Sequence, residues 1–318
     1  MNRESIRNTL QQLRSNRRWR LGLNIGGIFL FFGFVTYRLS GDWHQLVAAE
    51  MHLNVKDLLW AFILYGITFL LSAIVWHRMM ARFGGPSDWR INVLLFSYTH
   101  MAKFLPTPIW FLAGRTYYYN RRGVPQQRVL KITALEIALH VVSGLILIIV
   151  LSWDVAKPWM WLCVVGAIVM ALLVWRFNLL KISRLGRILE NTGIHLVNVL
   201  EWISLYGMTW IVAGPFFLLL VRAFTPASAS DMVMLWRIWI ISNLIAYLST
   251  YTLGGLGFLR EFSLTWFMSQ MYPLPIALLI ATGARIIMTV GGLLWGICVY
   301  ITLRMFFRVS LSTSTGNE

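Results

Sequence analysis

The sequence predicts an all-α polytopic membrane protein with about six full transmembrane helices, two re-entrant broken hairpins and an inverted internal repeat. Three observations carry that prediction. Of the 318 residues, 58% are hydrophobic and only 13% charged. Apolar runs of roughly 20 residues, the length that crosses a hydrocarbon core, recur along the whole chain. The 28 Lys and Arg residues outnumber the 12 acids and gather in alternate connecting segments. No polar stretch is long enough for a soluble domain, so any chemistry must happen in or beside the bilayer. The 16 Trp and 19 Phe suit lipid-facing surfaces and interfacial belts.

Residues 1–20 form a basic arm carrying Arg14, Arg17, Arg18 and Arg20. The apolar run behind it, Leu21 to Val35, is followed by Tyr37 and Arg38 rather than by a small-residue cleavage site. It reads as a retained signal anchor over 21–38. Further full spans are expected at 58–77, 132–152, 158–176, 200–221 and 274–303. Together they make a transmembrane domain over 21–305, with halves at 21–176 and 200–305 and a polar tail over 306–318. Between the halves, 178–196 sets Lys181, Arg184 and Arg187 apart from Leu180, Leu185, Ile188 and Leu189 and reads as an interfacial helix, with an ordinary solvated linker as the alternative.

The basic arm, 78–90, 115–131, 176–187 and 304–308 hold 20 of the 28 basic residues, whereas 39–56, 153–157 and 222–231 hold few. The positive-inside rule then places both termini in the cytoplasm, in a cell (inner or plasma) membrane. A full crossing by 91–114 would put one strongly basic flank outside. "LLFSYTHMAKFLPTPIWFLAGR" (94–115) is therefore expected to enter from the cytoplasm and return there, turning at Pro106 and Pro108. By the same count 232–271 begins and ends outside. Its turn falls at Gly254, Gly255 and Gly257 in "TYTLGGLGFLRE" (250–261). Residues 102–115 can be laid over 246–260 with one residue of slack, and paired broken segments in opposed halves point to a transporter site.

Ionisable groups inside spans cost on the order of 2.5–3.5 kcal/mol each, so they mark pathways by default. The candidates for substrate binding and translocation are Lys103, Arg115, Glu136, His140, Arg260, Glu261 and Arg285, with Arg237 as a further intramembrane charge. Arg and Lys would meet an anionic headgroup, with Glu136 balancing or gating them. Glu136 and His140 are four apart, share a helix face and are possible proton carriers. The bland alternative is a set of buried ion pairs that fix helix packing. Gly291, Gly292 and Gly296 fit close helix approach, and Tyr117, Tyr118 and Tyr119 beside Arg115, Arg121 and Arg122 fit an interfacial anchor. Cys163 and Cys298 lie in apolar runs, read as small buried hydrophobes, and give no disulfide or metal pattern. No zinc, nucleophile-elbow or paired-carboxylate signature is present, so neither an enzyme nor a cofactor is expected.

With these residues in view, the chain resembles the transmembrane region of lysylphosphatidylglycerol synthases, a flippase-like module that also occurs as stand-alone proteins. The resemblance covers nearly all of 20–305. It rests on "GGLG" at 254–257 with an acid just after it, "LPTP" at 105–108 leading to "GR" at 114–115, Glu136 and Arg285. It implies movement of anionic or aminoacylated phospholipids, or lipid-linked precursors, between leaflets. The soluble aminoacyl-transferring domain is not in this sequence, so synthase activity is not expected. Thr252-Leu253 stand where that family has proline, and Arg260 holds the usual place of the acid, which here is Glu261. Ile137 and His140 replace the family's Arg and Asp. The expected function is a lipid translocase whose partners are lipids with anionic headgroups, not nucleic acid. A homo-oligomer or a partner membrane enzyme is compatible with it. Two other classes fit the residues: a membrane enzyme acting on a polyprenyl- or phospholipid-linked substrate, and a non-transporting scaffold subunit.

Overall fold

A computed structural model describes Gly33 and residues 53–101, 109–152, 196–252 and 259–307. Eight helices make up nearly all of the described chain: α1 (Val55–Arg82), α2 (Trp89–Met101), α3 (Ile109–Asn120), α4 (Gln126–Leu151), α5 (Leu196–Arg222), α6 (Met232–Thr252), α7 (Leu259–Met268) and α8 (Leu274–Phe306). Among the described residues five helices are long and apolar enough to cross a membrane: Val55–Arg82, Gln126–Leu151, Val197–Arg222, Ala229–Tyr247 and Leu274–Phe306. The chain is a helical membrane protein. Exposed Leu59, Ile63, Ile67, Leu70 and Ile74 run as a stripe down α1, and Ile286, Val290, Leu294, Ile297 and Ile301 do the same on α8. Apolar stripes of that length belong against lipid rather than water.

Local chemistry sets the helix ends. The Asn54 side chain accepts from the amides of Lys56 and Asp57 and starts α1. Gly84 and Gly123, both at positive φ, turn the chain after α1 and α3. A reciprocal Ser228–Asp231 capping box opens the short 3-10 turn ahead of α6. Proline at the first turn pre-sets α8.

Contacts between the ends sort the bundle into a basic end and a sparsely charged one. At the basic end Arg128 donates to the Phe83 carbonyl at 3.2 Å and Arg90 lies 4.9 Å from the Phe307 ring. Phe83 also stacks on Trp202 at 6.1 Å. At the other end the Asn54 amide bonds the Ala223 carbonyl at 3.0 Å and Arg222 faces Asp57 at 3.7 Å.

Helices α2 and α3 run antiparallel, since the Tyr119 hydroxyl at the end of α3 donates to Asn92 Oδ1 at the start of α2, at 2.9 Å. At 1.5 Å per residue each measures about 20 Å or less over its described residues, and both have their outer ends among the basic loops. The pair α6–α7 opens at the other end of the bundle. Tyr272, just past α7, lies within electrostatic reach of Asp231, just before α6; burial raises its phenol and that carboxylate adds to the rise. Over the described residues α6 has spanning length and α7 has 10 residues.

The buried apolar residues form two clusters. One gathers Trp76, Met79, Phe96, Ile132, Trp202 and Tyr206 toward the basic end. The other gathers Phe217, Trp239, Leu264, Ile280 and Ala284 toward the opposite end. Close helix approach is seen at Gly291, where an added Cβ would meet the Tyr65 ring at 3.0 Å, and at Gly296, where it would meet Met101 at 3.1 Å.

Three sequence expectations are corrected. Arg115 does not belong to the basic face but is fully buried. Tyr119 is no interfacial anchor: it is fully buried because its hydroxyl is shared between Trp76 and Asn92. Cys298 is exposed rather than packed in the core. The expected spans 21–38 (Gly33 apart) and 158–176, the interfacial segment up to residue 195, Lys103, and the tips Pro106, Pro108, Gly254, Gly255 and Gly257 lie outside the described residues.

Candidate functional site: two buried charge centres

Two of the sequence candidates meet between α3 and α4. Arg115 donates through Nη1 to Glu136 Oε2 and through Nη2 to Oε1, the latter at 3.4 Å, so both carboxylate oxygens are engaged. The guanidinium carbon lies 3.7 Å from the Trp76 ring centroid, 4.2 Å from Phe111 and 5.3 Å from Phe96. These rings offer the cation their electron-rich faces in place of water. Only 1% of the Arg115 side chain and 11% of the Glu136 side chain reach the surface.

A polar network extends from this pair. Trp76 Nε1 donates to the Tyr119 hydroxyl at 2.7 Å, and that hydroxyl donates to Asn92, whose amide bonds the Pro86 carbonyl at 2.6 Å. Four helices, α1 to α4, are tied at one level by these groups. Charge counting along the chain had no means of finding Trp76, Tyr119 or Asn92. A tryptophan in an apolar span carries no mark of its partner.

The second centre lies between α7 and α8. Glu261, in the first turn of α7, is 1% exposed and sits where a carboxylate is favoured by the helix dipole. Its Oε1 accepts from Arg260 Nε at 3.1 Å, from Arg260 Nη2, and from Arg285 Nη1 at 3.1 Å. Its Oε2 is buried with no hydrogen-bond partner among the described residues. Arg260 also reaches Met288 Sδ at 2.8 Å, and the Tyr65 hydroxyl donates to the Met288 carbonyl at 3.1 Å. The side chain of Arg285 is 29% exposed and that of Arg260 12%, so this centre is partly open. Two guanidinium groups here surround one carboxylate.

The other candidates serve different ends. His140 shares a helix face with Glu136, yet its ring is set among Trp210, Tyr247 and Tyr206, with centroids 4.7, 4.9 and 5.1 Å away. Its carbonyl accepts from Trp210 Nε1 at 3.1 Å. It lines the seam where α4, α5 and α6 meet. Arg237 donates through Nε to the Leu151 carbonyl at 2.8 Å and so satisfies the end of α4. At the sparsely charged end a hollow of about 530 Å³ is lined by Asn54, Asp57, Arg222, Ser228 and Asp231. Its two acids are committed to helix ends: Asp57 to Asn54 and Arg222, Asp231 to the Ser228 amide. No group of three or more His, Cys, Asp or Glu residues suited to a metal occurs among the described residues.

Comparison with known proteins adds no identity: no family model, no curated protein and no solved structure matches the chain.

Proposed function

We propose that the chain is a membrane lipid translocase, moving a lipid with an anionic or phosphate-bearing headgroup between leaflets. The observation that carries this reading is the Arg260–Glu261–Arg285 centre, partly open and set at the base of a helix pair inside an apolar bundle. Two guanidiniums in such a place are costly unless they meet anions, and a phosphate is matched by paired Arg geometry. The opposed opening of α2–α3 and α6–α7 supports two re-entrant hairpins that approach from opposite leaflets. On this reading the full chain has six spans plus the two hairpins, related as an inverted repeat. The basic end, with both termini, faces the cytoplasm. The resemblance to the transmembrane region of lysylphosphatidylglycerol synthases points the same way for the substrate class.

The test is transbilayer movement of fluorescent phosphatidylglycerol in phosphatidylcholine vesicles holding the full chain, read by quenching from outside. The wild type is expected to expose inner-leaflet probe, and Arg285→Ala to lose that movement while remaining monodisperse. An inactive wild type, or an unchanged Arg285→Ala, would overturn the proposal.

A further inference from the structure

Glu261 is bonded in a lopsided way. Three N–H groups from Arg260 and Arg285 converge on Oε1, while Oε2 is buried with no partner among the described residues. A buried carboxylate oxygen with no donor costs free energy. A carboxylate placed only to fix helices would be better held through both oxygens, as Glu136 is by Arg115. Among the described residues the charged and titratable neighbours are these. Arg260 comes from α7 itself, Arg285 from α8, and Tyr65 reaches in from α1 toward Met288. From α6, Arg237 is bonded at Leu151 and Tyr247 packs on His140.

We propose that Glu261 is a built-in stand-in for the phosphate of the cargo. It holds Arg260 and Arg285 until a phosphodiester oxyanion takes them, and the displaced carboxylate then binds a proton on Oε2. This rests on the anion site of the translocase reading and adds its coupling. The exchange balances. Before it, two guanidiniums face one carboxylate; after it, they face one phosphodiester anion beside a neutral carboxylic acid. The net charge of the buried centre is unchanged, which a low-dielectric seat favours. A displaced carboxylate that stayed charged would have lost all its donors, and burial then drives it to take up a proton from water. One proton therefore enters with each anion, and anion binding tightens as pH falls.

The test is titration calorimetry on the full chain in detergent at pH 7, in two buffers of different ionisation heat. The probes are dihexanoylphosphatidylglycerol and dimethyl phosphate, neither of which titrates near that pH. Wild type is expected to take up about one proton per probe bound. Glu261→Gln should take up none and, if Glu261 holds the arginines about nine-tenths of the time, bind about tenfold more tightly. A merely structural Glu261 would give weaker binding in that variant. Proton-linked binding of the lipid alone assigns the site to a headgroup, whereas linked binding of dimethyl phosphate as well shows that the phosphate suffices. Binding without proton uptake by wild type, weaker binding by Glu261→Gln, or no binding of either probe overturns the proposal. If Glu261→Gln does not fold, the wild-type proton count decides alone. Lipid movement in vesicles with proton-free binding removes the exchange and leaves the translocase; proton-linked binding without lipid movement does the reverse.

Discussion

The Arg115–Glu136 and Glu261–Arg260–Arg285 centres use the same two functional groups in opposite ways. In the first, one cation meets one anion through two hydrogen bonds, three aromatic rings close around the guanidinium, and almost nothing reaches the surface. In the second, two cations crowd one oxygen of a single anion, the other oxygen is left over, and Arg285 is nearly a third exposed. A sealed, balanced pair holds helices together. An open one, with a carboxylate oxygen left without a donor, is the arrangement on which the proposed anion exchange rests. The difference is one of stoichiometry and access rather than residue type, so the default reading of an intramembrane charge as functional separates into two cases here.

The sharpest way to break that contrast is to remove one arginine from each centre. Arg115→Ala leaves Glu136 buried and uncompensated, and is expected to cost about 3–5 kcal/mol. That would appear as lost monodisperse protein or a large fall in melting temperature. Arg285→Ala leaves Glu261 with Arg260 and should melt much closer to wild type while losing lipid movement. Equal stability losses would erase the distinction.

A smaller effect sharpens the first centre. Trp76→Phe keeps a ring beside Arg115 but removes the donor to the Tyr119 hydroxyl, and is expected to cost about 1–2 kcal/mol in thermal melting. No loss would mean that the network, unlike the ion pair, is incidental. The smallest effect is a control at the basic end. Arg78 and Glu201 sit 3.7 Å apart with 60% and 38% of their side chains exposed. A double-mutant cycle there should give a coupling of about 0.5 kcal/mol or less. A larger value would show that this end is less hydrated than its exposure indicates.

Much of the fold was legible in the sequence because lipid imposes a simple rule: a spanning segment must be apolar and must satisfy its own backbone. The expected spans at 58–77, 200–221 and 274–303 each fall inside a helix of spanning length, and 132–152 overruns its helix by one residue. The site was legible only as a set of charges. Glu136 and Arg115 are 21 residues apart and Arg285 and Glu261 are 24 apart, on different helices, and no periodicity links such positions. His140 shows the limit most clearly. Its spacing from Glu136 did put it on the same face, but one turn along that face the neighbours are three aromatic rings from α5 and α6.

The sequence by itself determined that this is a helical membrane protein and where four of its long apolar helices lie. Hydrophobic length, helix caps and the cost of an intramembrane charge are local properties that a chain carries in its order. Only the tertiary structure decided which arginine meets which glutamate, that Arg115 and Tyr119 are core residues, and that one oxygen of Glu261 is left without a donor. Pairing depends on how helices far apart in the chain are rotated and set against each other, and packing, not sequence spacing, fixes that.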